Sequence, residues 1–161
     1  PGVSADLLWK GKWGLPLYLD TWDGYPWARE KLYSLCAACG IFDLLVLTGD
    51  SHSFWANTLT SGDGQNFGLE IGTAGITSPG DFIEQGFDLS TAELIDEAFA
   101  TQTPDVRWTS NLYQGYVRLV ITASGGTADY IAVSTVNTHQ YRTSVVRQER
   151  IARDGQSLEF V

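Results

Sequence analysis

A short apolar run, Ile41-Phe42-Asp43-Leu44-Leu45-Val46-Leu47-Thr48, ends abruptly at Gly49-Asp50. Its length and aliphatic content suit a strand buried on both faces, the pattern of a sheet that helices cover. Directly beyond its carboxyl end stand Asp50 and His52. In α/β folds ligands bind at that edge, where loops aim polar groups at one point. If the chain stays extended, side chains two apart point the same way. A carboxylate beside an imidazole suits Fe, Zn, Mn or Ca, and Gly49 allows a sharp turn or a close backbone approach. A surface loop with an Asp cap and a solvated His has the same spacing, so Asp-x-His alone leaves both readings open.

The other segments provide layers for such a strand. Residues 1–26 are rich in Gly, Pro, Trp and Tyr without a sustained period. They read as a long loop, which inside a compact domain is usually functional. Residues 27–39 turn helical, with Ala28, Leu32, Leu35, Cys36 and Cys39 on one face and Gly40 where a helix C-cap is expected. Residues 67–73 alternate as a strand, and Thr77-Ser78-Pro79-Gly80 is a turn cluster. Ser90-Thr91-Ala92-Glu93 has capping-box spacing, followed by Leu94, Ile95, Ala98 and Phe99 as a buried stripe. Residues 104–114 read as irregular. Residues 116–123 and 128–136 predict an antiparallel hairpin joined through Ser124-Gly125-Gly126-Thr127. The polar, Arg-bearing tail 141–161 reads as a loosely held extension. Helices outside two sheets account for this order, an α/β (α+β) arrangement.

With 161 residues the chain can form a real core, since a domain of about 150 residues buries ~70% of its unfolded surface. Hydrophobic residues at 43% against 18% charged exclude a disordered chain. The net charge of -9 argues against nucleic acid as a stable partner, because that requires basic patches. A small phosphate ester stays compatible, since bound cations can dominate the local field. No apolar run approaches the ~20 residues of a membrane span, and no signal peptide is visible. Met is absent, so a start at Pro1 implies processing, truncation or an incomplete sequence. Cys36 and Cys39 close a helical pattern rather than opening one after a strand, unlike a redox pair. They read as small buried thiols or a late-helix disulfide. His139 has no partner motif, and Ser78 lacks a Ser-His-Asp framework.

Two strings carry a resemblance. Leu19-Asp20-Thr21-Trp22-Asp23-Gly24-Tyr25-Pro26-Trp27-Ala28-Arg29 and, later, Leu47-Thr48-Gly49-Asp50-Ser51-His52-Ser53-Phe54-Trp55-Ala56 strongly resemble the alkaline phosphatase D family. That family shows Trp-Asp-Gly-Tyr-Pro, a helix, and a strand ending in Gly-Asp-x-His-x-x-Trp. Ile76-Thr77-Ser78-Pro79-Gly80, Pro104-Asp105-Val106-Arg107-Trp108 and Gln114-Gly115-Tyr116-Val117 resemble its later landmarks, in the same order.

The resemblance implies a metallophosphoesterase of the calcineurin-like superfamily, with a four-layer α/β/β/α sandwich of mixed sheets. Residues 1–161 correspond to its C-terminal half, within a single catalytic domain. The implied activity is hydrolysis of phosphate esters by a metal-activated hydroxide, with two or more ions among Fe, Ca, Zn and Mn. By carry-over His52 binds metal, and Asp50 binds metal or holds the site. Asp23, Tyr25 and Arg29 are pocket-lining candidates, although Asp23 and Tyr25 equally suit a packed loop and Arg29 better suits a solvated first turn. The family's earlier ligand motifs do not occur in this chain. The expected partner is therefore an N-terminal fragment or chain of the same enzyme that supplies the remaining ligands, without which this chain is inactive. Periplasmic or extracellular placement follows from resemblance alone. The rival readings are a non-catalytic, acidic, aromatic-rich binding module, a thiol oxidoreductase using Cys36 and Cys39, and phospholipase D-like activity of the assembled enzyme.

Overall fold

Pro26 opens helix α1 (Pro26–Ala38), just after a 3-10 turn at Trp22–Gly24. A missing N–H is harmless in a first helical turn. The helix ends in a Schellman motif: Ile41 N–H donates to the Cys36 carbonyl at 2.8 Å and Gly40 N–H to the Ala37 carbonyl at 3.0 Å. Gly40 takes the left-handed φ of +70° that this cap requires, as its sequence position predicts. The predicted buried face is corrected. Tyr33 and Cys36 are buried, whereas Leu32, Leu35 and Cys39 are exposed. Tyr33 stacks on Phe67 with centroids 4.7 Å apart, and an aromatic ring offers more area than a leucine.

The computed structural model describes residues 21–161, and of Asp23 the backbone alone. Of the loop expected over residues 1–26, residues 1–20, with the Leu19-Asp20 start of the aromatic motif, lie outside the described residues, whereas Trp22–Gly24 form a 3-10 turn and Pro26 is already helical. Among them two sheets form. The first contains β1 (Leu44–Thr48), β2 (Phe54–Thr60), β3 (Asn66–Gly72) and β4 (Val106–Ser110). Its order is β1-β3-β2-β4, with β1 parallel to β3 and the other pairs antiparallel. The second contains β5 (Gly115–Thr122), β6 (Gly125–Val133), β7 (Thr143–Asp154) and β8 (Ser157–Phe160), antiparallel in sequence order.

Several expectations change here. The hairpin is present, but its turn is Ala123-Ser124, with Thr122 paired to Gly125; Gly125 and Gly126 belong to the strand. Residues 104–114 are not irregular throughout, because β4 pairs along β2. The tail after Tyr141 is not a loose extension: β7 pairs with both β6 and β8. Its polarity is matched by partners. Glu149, 2% exposed, accepts from Arg107 Nε at 2.9 Å and Arg147 Nε at 2.7 Å. Polar side chains that find such partners can be buried without a hydrophobic period in the sequence.

Helix α2 (Asp81–Glu84) is a single turn, and α3 (Leu89–Gln102) follows it. Its cap is Asp88 rather than Ser90: the Asp88 carboxylate accepts from Thr91 N–H at 2.7 Å, which holds its pKa below the usual range. Ala92, Ile95, Ala98 and Phe99 are buried, while Leu94 of the predicted stripe is 53% exposed.

Phe54 and Ala56 of β2, Leu69 and Ile71 of β3, Tyr130 of β6 and Ile151 of β7 form one core between the sheets. On the opposite face of β2, Trp55 packs under α3 and Leu59 under α1. Both helices therefore cover the outer face of the first sheet. The outer face of the second sheet carries exposed Tyr116, Val120 and Val145, so the described residues build helix, sheet and sheet layers.

The α3 face is testable. Ile95→Ala should destabilise the chain by about 2–5 kcal/mol. Leu94→Ala should stay within about 0.5 kcal/mol. Denaturant unfolding of the two variants measures the difference.

Candidate metal site at the strand ends

Because β1 and β3 are parallel, their carboxyl ends reach the same edge of the sheet. Thr73 N–H donates to the Thr48 carbonyl there, at 3.0 Å. From β1 the chain enters the loop 49–53; from β3 it runs through residues 73–80 into α2. These two segments bring His52, Asp81 and Glu84 together, with one ligand-type atom from each lying within 4.8 Å of the others.

His52 Nδ1 lies 3.3 Å from Asp81 Oδ1. The alignment does not make a hydrogen bond, and Nδ1 is buried without a hydrogen-bond partner. The Asp81 carboxyl is pushed above its ordinary pKa by burial first; Glu84 and Asp50 add to the rise, and His52 opposes it. A buried imidazole nitrogen without a donor or acceptor, beside two carboxylates, fits a cation of the hard or borderline kind.

The loop is not extended, which corrects the expected route to convergence. Asp50 and His52 both take left-handed backbone, at φ +69° and +52°, a region that Asp and His tolerate better than most side chains. Ser51 N–H donates to the Gly49 carbonyl at 2.8 Å between them. Asp50 is exposed at the rim, and its charge reaches Asp81.

The other sequence candidates lie elsewhere in the chain. Asp23 belongs to the 3-10 turn, and Tyr25, largely exposed, caps the start of α1. Arg29 sits in the first turns of α1, its Nε 3.8 Å from Glu30. His139 is exposed. Cys36 and Cys39 are free thiols, only Cys36 being buried. Trp55 and Trp108 pack into the cores rather than lining an open face. Asp81 and Glu84 were missed by sequence reading. The available signal was the turn Thr77-Ser78-Pro79-Gly80 directly ahead of them, after a strand whose parallel pairing brings its end beside that of β1.

These observations define an α+β protein with a candidate metal site at the ends of parallel strands. Residues 4–130 match the family described as PhoD-like phosphatase, and the chain belongs to that family. It is 32% identical over 138 residues to alkaline phosphatase D of Bacillus subtilis (strain 168), covering 80% of this chain and 22% of that protein. A solved structure of PhoD matches with a TM-score of 0.69 at 28% identity, over 88% of this chain and 26% of that one. The chain thus spans less than a third of the length of these relatives.

Behind the site lies a buried polar chain. Ser53 Oγ donates to Asn111 Oδ1 at 2.5 Å. Asn111 donates in turn to Asp96 of α3, through its backbone N–H at 3.0 Å and through Nδ2. Burial pushes the Asp96 pKa up to about 6; Glu93 adds to the rise, and the two bonds from Asn111 oppose it. Folded Asp96 therefore keeps a proton that the unfolded chain releases, between about pH 4 and pH 6. The associated stability is present below that window and is lost as pH rises through it. Asp96→Asn should remove this component of the decline, read from denaturant unfolding at a series of pH values.

Proposed function

We propose that residues 1–161 are the C-terminal part of a single metallophosphoesterase catalytic domain, and that the assembled protein hydrolyses phosphate esters with a metal-activated hydroxide. The observation that carries this reading is the meeting of His52, Asp81 and Glu84 within 4.8 Å in a member of the PhoD-like phosphatase family. His52 supplies a nitrogen ligand, Asp81 and Glu84 supply oxygen, and Asp50 adds negative charge at the rim or a further oxygen. When bound, two or more cations of the Fe, Ca, Zn or Mn kind activate water and hold phosphoryl oxygens. The left-handed turn at Asp50 and His52 orients both side chains before substrate arrives. Asp23, Tyr25 and Arg29 stay as proposed pocket residues, on their position in the family's aromatic motif.

Three side chains fall short of two complete coordination spheres, since Zn takes about four ligands and Ca about six to eight. We therefore assign the remaining ligands to an N-terminal portion of the same enzyme. The edge of β1 supports this. It pairs only with β3 among the described strands, and its Leu47 is 64% exposed. It has no charge, Pro or bulge of the sort that blunts a natural edge. The substrate is a phosphate monoester or diester, with phospholipid head groups included. No helix among the described residues is long and apolar enough to cross a membrane. Family resemblance supports a periplasmic or extracellular site of action.

Two measurements test the reading. In the assembled protein, His52→Ala should lower metal content and phosphoesterase turnover by at least about tenfold; full activity would overturn the assignment. Leu47→Glu should weaken association with the N-terminal portion by more than about tenfold, because a charge forced into an apolar seam costs roughly 2 kcal/mol or more. A pull-down titration of the two parts reads that loss.

A further inference from the structure

The two segments that carry the candidate ligands are both fastened to one residue. Asn111 follows β4 and is 1% exposed. Its side-chain oxygen accepts from Ser53, the residue after His52. Its backbone carbonyl crowds Gly80, the residue before Asp81: a Cβ at Gly80 would lie 2.4 Å from that oxygen. Only glycine permits this approach, so the start of α2 rests directly on Asn111.

Asn111 itself has little freedom. Its backbone N–H and its Nδ2 both point at the Asp96 carboxylate, which fixes the amide so that Oδ1 faces Ser53. Three residues further along α3, Phe99 packs on Trp55 with ring centroids 5.4 Å apart. Trp55 Nε1 donates to Ser51 Oγ at 2.9 Å. Residues three apart share a helix face, so α3 grips the His52 loop from both sides of its turn.

We propose that Asn111 is the positioning residue of the site: it sets the distance between His52 and the Asp81–Glu84 turn, and Asp96 holds it in register. This rests on the metal-site reading above. The physical argument is that two loops converging on one ion need a common support. Ligand geometry tolerates errors of only about half an ångström. Groups that orient ligands without touching the ion typically alter metal affinity by 10–100-fold when lost. Asn111 is not among the clustered ligand candidates and would act only through Ser53 and Gly80.

The test uses the chain with ¹³C-labelled histidine. Its only two histidines are His52 and His139, and exposed His139 serves as an internal reference for a free ring. In the metal-free parent, His52 ring relaxation should report a held side chain. In Asn111→Ala it should approach that of His139, and the affinity for Mn²⁺, read by calorimetry, should fall roughly 10–100-fold. Asp96→Asn replaces one of the two acceptor oxygens by an NH2 donor, so it should loosen Asn111 and move the His52 signal and Mn²⁺ affinity part of the way toward those of Asn111→Ala. A purely stabilising role for Asn111 would lower the unfolding temperature and leave the folded His52 signal unmoved, which would overturn the proposal. If Asn111→Ala does not fold, Ser53→Ala, which removes only the bond to the loop, is read in the same way. If the isolated parent binds no Mn²⁺, as a site short of ligands allows, the affinity is read in the protein assembled with its N-terminal portion, and an Asn111→Ala assembly that binds Mn²⁺ like its parent would overturn the proposal.

Discussion

Tyr130 is fully buried between the two sheets, and its hydroxyl has to find a partner there because an unsatisfied polar group is costly in a core. The partner is the Trp55 carbonyl, 2.8 Å away on β2. Burial and the nearby Glu149 carboxylate push the Tyr130 pKa far up, with Arg147 opposing, so it remains a neutral donor. Its ring packs edge-on against Phe54 and Trp108, with centroids at 5.5 and 4.8 Å. One side chain thereby links the sheets at the entry to β2. That strand begins directly after the His52 loop, so the stacking of the sheets also anchors the site.

Paired charges, in that seam and on the outer face of the second sheet, explain how so polar a carboxyl-terminal region folds. Glu149 receives Arg107 from the first sheet and Arg147 from its own strand. Asp129 on β6 receives Arg118 from β5 and Gln148 from β7, and these bonds hold its pKa below the ordinary range. Charges that pair across three strands specify register as well as contact. A one-residue slip would separate every such pair at once.

What was legible in the sequence follows from which forces are local. The Gly40 cap, the hairpin after Gln114 and the apolar strand before Gly49 depend on neighbours in sequence, and all three are present. That strand spans only Leu44–Thr48, however, and at the sheet edge among the described strands it is partly exposed rather than buried on both faces. β4 and β7 depend on distant partners, and their composition carried no period to announce them. The faces of α1 and α3 turned on particular packing choices, Tyr33 over Leu32 and Ile95 over Leu94. Asp50 and His52 were visible as types and spacing, but their left-handed turn was not. Asp81 and Glu84 were hidden because only the parallel pairing of β1 with β3 makes residues after both strands neighbours.

The electrostatics of that neighbourhood bear on its chemistry. Burial is the main cause of the raised Asp81 pKa; among the charges acting on it His52 opposes the rise, while Glu84 and Asp50 add to it, and those two carboxylates would also repel an approaching phosphate. A cluster of this sign cannot attract an anionic ester by itself. A cation held by His52 and the carboxylates would reverse both effects, lowering the carboxyl pKa and turning the local field positive. Under the proposed function, the carboxylates of this cluster would therefore act as metal ligands, and the chain's net charge of -9 does not conflict with an anionic substrate.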